Sequence, residues 1–186
     1  YVDNILYSTK HLSGLIQNML KLNKLEKQTI CPMTETYNVC GQLGECAVQF
    51  EDSWERKDIE FEADLEDCAM VTADPGLMEL VWNNLLSNAI KFTPEGGTVS
   101  ICQKTANGQV QVSVKDTGCG MKPEVIKHIF DKFYQGDTSH ASKGNGLGLA
   151  LVKRILELSD ATVTVTSEPG KGSVFTVTMP MAEEKE

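Results

Sequence analysis

The sequence predicts an α/β domain entered through one long helix. Three observations carry this. Two stretches alternate apolar and polar residues about tight-turn signals: Thr98–Lys104 with Gln109–Asp116 around Asn107-Gly108, and Thr162–Ser167 with Ser173–Met179 around Glu168-Pro169-Gly170. Between and before them run apolar residues at helical spacing, from Pro75 through Lys91 and from Leu147 to Leu158. The first 28 residues place Ile5, Thr9, Leu12, Ile16, Met19 and Asn23 in the alternating four-and-three spacing of a heptad seam.

The elements follow in order. Residues 1–28 form one helix, its apolar face widened by Leu6, Leu15, Leu20, Leu22 and Leu25. Such a face needs a partner helix, which implies a helical hairpin or bundle. Pro32 closes this segment, with 29–34 as linker. A short strand is predicted at Glu35–Asn38 and a helix from Val39 to Arg56. Ile59–Ala63 alternates as a strand, and Ala69–Thr72 is a second short one. Asp74-Pro75 starts a helix, Asp as N-cap and Pro in the first turn. After the first hairpin, Pro123–Phe133 reads as helix and residues 134–146 as a long polar, Gly-rich loop. The helix from Leu147 and the second hairpin complete a domain at 35–181, and 182–186 is a solvated tail.

Bulk properties exclude several classes. Of 186 residues, 41% are hydrophobic and 23% charged, as in ordinary globular proteins. No apolar run approaches the ~20 residues of a membrane-spanning helix. The net charge of −9 argues against non-specific nucleic-acid binding, so a polyanionic ligand needs backbone amides, a metal ion or placed lysines. Cys31, Cys40, Cys46, Cys68, Cys102 and Cys119 form no CxxC pair and no zinc-like cluster, which favours free thiols.

Four stretches carry chemistry. Asn84, Asn88 and Lys91 share one side of a helix beside its apolar face. Asparagine is a poor helix former and expensive to bury, so two in register call for a reason. Their amide oxygens are hard ligands suited to Mg²⁺, and Lys91 could meet phosphate. Asp116-Thr117-Gly118-Cys119-Gly120 ends a strand with an acid and two glycines, where backbone can approach a ligand closely. Gly144-Asn145-Gly146-Leu147-Gly148-Leu149 runs from a loop into a helix whose free N–H groups could cradle phosphate. It is neither a dinucleotide fingerprint, since no strand precedes it, nor a P-loop. Gly170-Lys171-Gly172-Ser173, followed by Phe175, reads by itself as a hairpin turn.

In order these blocks read NLLSNAIK, DTGCG, IFDKFYQ, GNGLGL and GKGSVF. The arrangement resembles the catalytic ATP-binding domain of sensor histidine kinases, within the GHKL ATPase superfamily. The resemblance covers nearly all of the chain. It implies a two-layer sandwich of a mixed β-sheet against helices. It implies that Asn88 coordinates the Mg²⁺ bridging the ATP phosphates, that Asn84 supports that site and that Lys91 contacts phosphate. Asp116 would read the adenine amino group in a pocket shaped by Gly118 and Gly120. Ile129, Phe130, Phe133 and Tyr134 would flank the start of a mobile ATP lid at about 134–146. Lys143, Gly144, Gly146, Leu147, Gly148 and Leu149 would close on the nucleotide, with Thr176 beside it. Residues 1–28 look like the second helix of the family's dimerisation and phosphoacceptor hairpin.

The implied function is ATP-dependent phosphorylation of a protein histidine in a two-component system. Implied partners are ATP, Mg²⁺, a phosphoacceptor helix of the same or a second subunit, a response-regulator receiver domain and a homodimeric second copy. The implied location is a cytoplasmic domain of a membrane-anchored sensor. The phosphoacceptor block of the family, on the first hairpin helix, is expected to lie outside this fragment, because His11, His128 and His140 do not match it. Gln135 stands where many relatives carry Arg, one cationic phosphate contact fewer, and Leu158-Ser159-Asp160-Ala161 replaces a common HGG turn.

Two other functions compete. Gyrase-like, chaperone-like and serine-kinase relatives carry a Glu one turn before the metal Asn as base. Here that position is Asn84, which cannot take a proton, and Glu79, nine residues before Asn88, does not substitute by spacing. A degenerate, non-catalytic scaffold is disfavoured by the intact blocks.

Overall fold

A computed structural model describes residues 2–27, 32–136 and 146–182, and in the first helix describes the side chains at 13, 14 and 16–27. Helix α1 spans Val2–Glu26. There follow β1 (Glu35–Asn38), α2 (Val39–Val48), α3 (Glu51–Glu55), β2 (Glu60–Asp64), β3 (Met70–Ala73) and α4 (Pro75–Phe92). Then come β4 (Thr98–Ala106), β5 (Gln109–Asp116), α5 (Pro123–Ile126), α6 (Gly148–Leu158), β6 (Thr162–Glu168) and β7 (Gly172–Pro180).

The main sheet has the order β2-β4-β5-β7-β6, and β1 pairs with β3 in a separate two-stranded ribbon. β2 runs parallel to β4, while the other neighbours are antiparallel, so the sheet is mixed. Alternation along β5 and β7 sends Val110, Val112, Val114, Phe175, Val177 and Met179 into the core. There they meet α4 and α6, whose Val81, Trp82, Leu85, Leu86, Leu151, Val152 and Ile155 are buried. The opposite face presents Gln111, Lys115 and the Ser113–Thr176 hydroxyl pair. This is the predicted two-layer sandwich.

Local signals explain most boundaries. Asp74 caps α4 by accepting from the Leu77 amide at 3.1 Å, with Pro75 in the first turn. Asn107 and Gly108 both have positive φ, 53° and 71°, as a two-residue hairpin turn needs. Asp160 takes φ 51° in the turn after α6, where Ala161 donates to the Leu156 carbonyl at 2.9 Å.

Two predicted helices are corrected. The helix expected over Val39–Arg56 breaks at Phe50, which has non-helical ψ, and resumes as α3. The break aims Trp54 at Phe61 of the neighbouring chain segment, where the rings stack at 4.2 Å. The helix expected over Pro123–Phe133 stops at Ile126. Beyond it the chain turns, and Phe133 has φ 62° because its amide bonds across to Gly146 instead of backwards along a helix.

The end of α1 is joined to the domain. Leu22 and Leu25 are buried, and Arg154 of α6 donates from Nη2 to the Leu25 carbonyl at 3.3 Å. Lys132 pairs with Glu26. The seam residues Ile16 and Met19 stay about half exposed, at 47% and 49%. Among the described residues no helix is long and apolar enough to cross a membrane.

Candidate active site

Two close approaches bring sequence blocks against α4, and two more join those blocks to their neighbours. The first joins α4 to α6. Asn84 donates from Nδ2 to the Leu80 carbonyl at 2.6 Å, which aims its oxygen outward. A Cβ on Gly148 would stand 2.5 Å from that oxygen, so the start of α6 rests directly on the Asn84 amide. The second joins α4 to the end of β5: a Cβ on Gly118 would lie 2.6 Å from the Phe92 carbonyl oxygen and 2.7 Å from Oδ1 of Asp116. Only glycine fits the second contact, where the neighbour is backbone; at the first, a side chain would have to turn the Asn84 amide aside.

The third approach joins the end of β5 to the β6–β7 turn. A Cβ on Gly120 would overlap the Glu168 carbonyl oxygen, and the Gly170 amide donates to the Cys119 carbonyl at 2.7 Å. Ser167 fastens the same junction, accepting from the Met121 amide at 2.8 Å and donating to the Gly172 carbonyl at 2.9 Å. The fourth brings the two flanks of the long loop together: the Phe133 amide donates to the Gly146 carbonyl at 2.8 Å, and Gly146 has φ 65°. Lys143 and Gly144, with the rest of residues 137–145, lie outside the described residues.

The charged groups of this site sit in contrasting surroundings. Asp116 is buried at the end of β5 and accepts from the Gly118 amide at 2.8 Å. Burial raises its carboxyl above the ordinary range, opposed by the backbone N–H groups of Gly118 and Ser173. Lys91 is half-buried with its ammonium 4.9 Å from the Phe92 ring centre, and desolvation lowers its pKa. It makes no ion pair among the described residues. A cation and an acid held in partly dry surroundings are ready for an anionic group and for a donor, respectively.

Not every expected residue converges. Thr176 stands on the other face of the sheet from Asp116, beside Ser113 at 3.0 Å. The residue paired with Asp116 across the ladder is buried Ser173, three positions earlier, which shares its face. Ile129 is buried and Phe130 half-buried against the core, whereas Phe133 is 57% exposed. Tyr134 lies 5.4 Å from the His128 ring, and His128 Nδ1 pairs with Asp131 at 2.8 Å on the surface. Leu147 is buried ahead of α6, and Leu149 packs against the core. Glu79 is two and a half turns before Asn88, which puts it on the opposite side of α4.

Lys57 is a residue that motif reading missed. Its ammonium donates to the carbonyls of Ile90, Lys91 and Thr93 at 2.7, 3.1 and 2.6 Å, closing the C-terminus of α4. No local signal betrays this, since the partners lie more than thirty residues away. Ser173 could have been found from its register with Asp116.

The donor set fits an ATP–Mg²⁺ complex in kind. Among the described residues no cluster of three or more His, Cys, Asp or Glu side chains could hold a metal alone. Mg²⁺ takes few protein ligands beside phosphate and water, so an amide oxygen such as that of Asn88 suits it. The glycine contacts leave backbone, not side chains, at the approaches to α4.

The profile of the family described as histidine kinase-, DNA gyrase B- and HSP90-like ATPase matches residues 73–183. The chain belongs to this family. Within it, the domain is of the sensor histidine kinase type. The sensor-like histidine kinase SenX3 of Mycobacterium tuberculosis is 31% identical over 182 residues, 97% of this chain and 44% of that protein. The sensor histidine kinase CusS of Escherichia coli is 32% identical over 185 residues, 96% of this chain and 38% of that protein. Full-length ShkA, solved in complex with AMPPNP, superimposes with a TM-score of 0.86 at 30% identity, over 100% of this chain and 39% of that one. The chain thus spans less than half the length of these relatives.

Proposed function

We propose that this chain is the catalytic part of a protein-histidine kinase, which binds ATP with Mg²⁺ and passes the γ-phosphoryl group to a histidine on a helical hairpin. The observation that carries the proposal is the seating of Asn84, at the position of the hydrolase base, against Gly148. An amide there cannot take up a proton, and its oxygen lies against the start of α6. Positioning and charge neutralisation are then the means of catalysis, as in phosphoryl transfer generally.

Each residue has a role in this reading. Asp116 accepts a hydrogen bond from the exocyclic amine of adenine, with Gly118 and Gly120 allowing the ring to approach. Asn88 presents its amide oxygen to the metal, and Lys91 meets the phosphates. Phe130, Phe133 and Tyr134 border the nucleotide on the side of the 134–146 loop, and Gly146 through Leu149 border the phosphates at the start of α6. Mg²⁺ held there would supply charge neutralisation to the phosphates. Transfer breaks the bond from the γ-phosphorus to the β–γ bridging oxygen and forms one to an imidazole nitrogen, and ADP departs. Residues 1–28 serve as one hairpin helix, whose half-exposed Ile16 and Met19 meet the other hairpin helix or a second subunit. A response-regulator receiver then takes the phosphoryl group. The sensor kinases similar to this chain support that context, and a membrane anchor elsewhere in the protein accords with it.

The test uses γ-labelled ATP and Mg²⁺. The chain is mixed with a longer version that restores the upstream helix and carries Asn88→Ala, so that only the short chain can catalyse. Acid-labile, alkali-stable label on the longer partner, lost when the short chain also carries Asn88→Ala, supports the proposal. No label there, or in the intact longer protein, while ATP is bound would overturn histidine transfer.

A further inference from the structure

A groove of about 470 Å³ runs between α3 and α4. Ser53, Arg56 and Lys57 line it from one side, Ser87 and Lys91 from the other, with two apolar side chains between. Three of its lining residues are cations and none is a carboxylate, in a chain of net charge −9. Lys57 is engaged with the carbonyls that end α4. Arg56 donates from Nε to the Asp52 carbonyl at 3.1 Å, one turn back, which anchors its exposed side chain on α3. Lys91 belongs both to this groove and to the active-site side of α4.

From this geometry we propose that Arg56 is a second cationic contact for the terminal phosphate of the bound nucleotide, acting with Lys91 across the groove. The inference rests on the ATP-binding reading above. A guanidinium fork beside two serine hydroxyls matches the several oxygens of a phosphate better than a single carboxylate. It also supplies a cation from the α3 side where Gln135 withholds one from the loop side. Neutralising the terminal phosphate from two walls would favour ATP over ADP, because only ATP carries the group that reaches the groove.

Affinities of Mg-ATP and Mg-ADP for the whole chain, measured by calorimetry for wild type, Arg56→Ala and Arg56→Lys, test this. Arg56→Ala is expected to lose ATP affinity about tenfold, the effect of one charge-assisted contact, with ADP affinity unchanged. Arg56→Lys should recover part of the loss. Lys104→Ala removes equal charge at β4, near the far end of its hairpin from Asp116, and should leave both affinities alone. An unchanged ATP-to-ADP ratio in Arg56→Ala overturns this inference and leaves the ATP-binding reading standing. Wild-type protein that binds neither nucleotide overturns both.

Discussion

The Asn84 amide oxygen occupies the space beside Gly148, 2.5 Å from where a Cβ on that glycine would stand. Two helices distant in sequence therefore meet at one residue without a side chain. Gly148→Ala must push Asn84 aside or lift the start of α6, a strain of about 1–3 kcal/mol for an overpacked contact. Thermal unfolding should register a Tm lower by several degrees, and nucleotide affinity should fall with it. An unchanged affinity would separate this junction from the binding site.

Asp116 should show opposite effects on stability and binding. Its folded pKa is raised by burial, so the folded state holds the proton to higher pH than the unfolded chain does. The associated stability is present below the ordinary carboxylate value and is lost as pH rises through the folded pKa. Asp116→Asn removes this dependence. The variant's Tm should exceed that of wild type at pH 7, with the difference shrinking toward pH 3, while ATP affinity drops about tenfold or more. Melting curves across that range, paired with binding titrations, check both halves.

Lys91 has the reverse sign. Desolvation lowers its pKa, so the folded chain releases this proton earlier than the unfolded chain, and the burial penalty on the charged form is relieved as pH rises through the folded pKa. Phosphate beside it would favour the ammonium again. ATP binding in mildly alkaline solution should therefore take up protons, and Lys91→Met should abolish that component. Binding heats in buffers of different ionisation enthalpy measure it directly.

Lys57 acts on stability first. Three carbonyls at the end of α4 accept from its ammonium, and Lys57→Met leaves them without that partner. The expected loss is about 1–2 kcal/mol. Denaturant melts should show it with an unchanged m-value. Arg at this position should restore most of it.

Much of this was legible in the chain. Period-two alternation and turn dipeptides placed both hairpins, and Asp74-Pro75 placed the start of α4, because those signals are local. The spacing of Asn84, Asn88 and Lys91 put them on one side of α4 for the same reason. What failed was decided at a distance. Phe133 leaves the helical path because its amide finds Gly146, and α2 breaks from α3 where Trp54 turns onto Phe61. Thr176 faces away from Asp116 because its face depends on register, which puts Ser173 opposite Asp116. Arg56 and Lys57 carry no local signal, since their significance comes from α4 across a tertiary contact.

On the proposed function, Asn88 would hold the metal of an ATP–Mg²⁺ complex on α4. The most direct measurement is the affinity of ATP for the wild-type chain and for Asn88→Ala, each with Mg²⁺ and with chelator. Wild type is expected to bind ATP much more tightly with Mg²⁺, and Asn88→Ala, folded by its melting curve, to lose this dependence. Mg²⁺-dependent binding that survives in Asn88→Ala would contradict it.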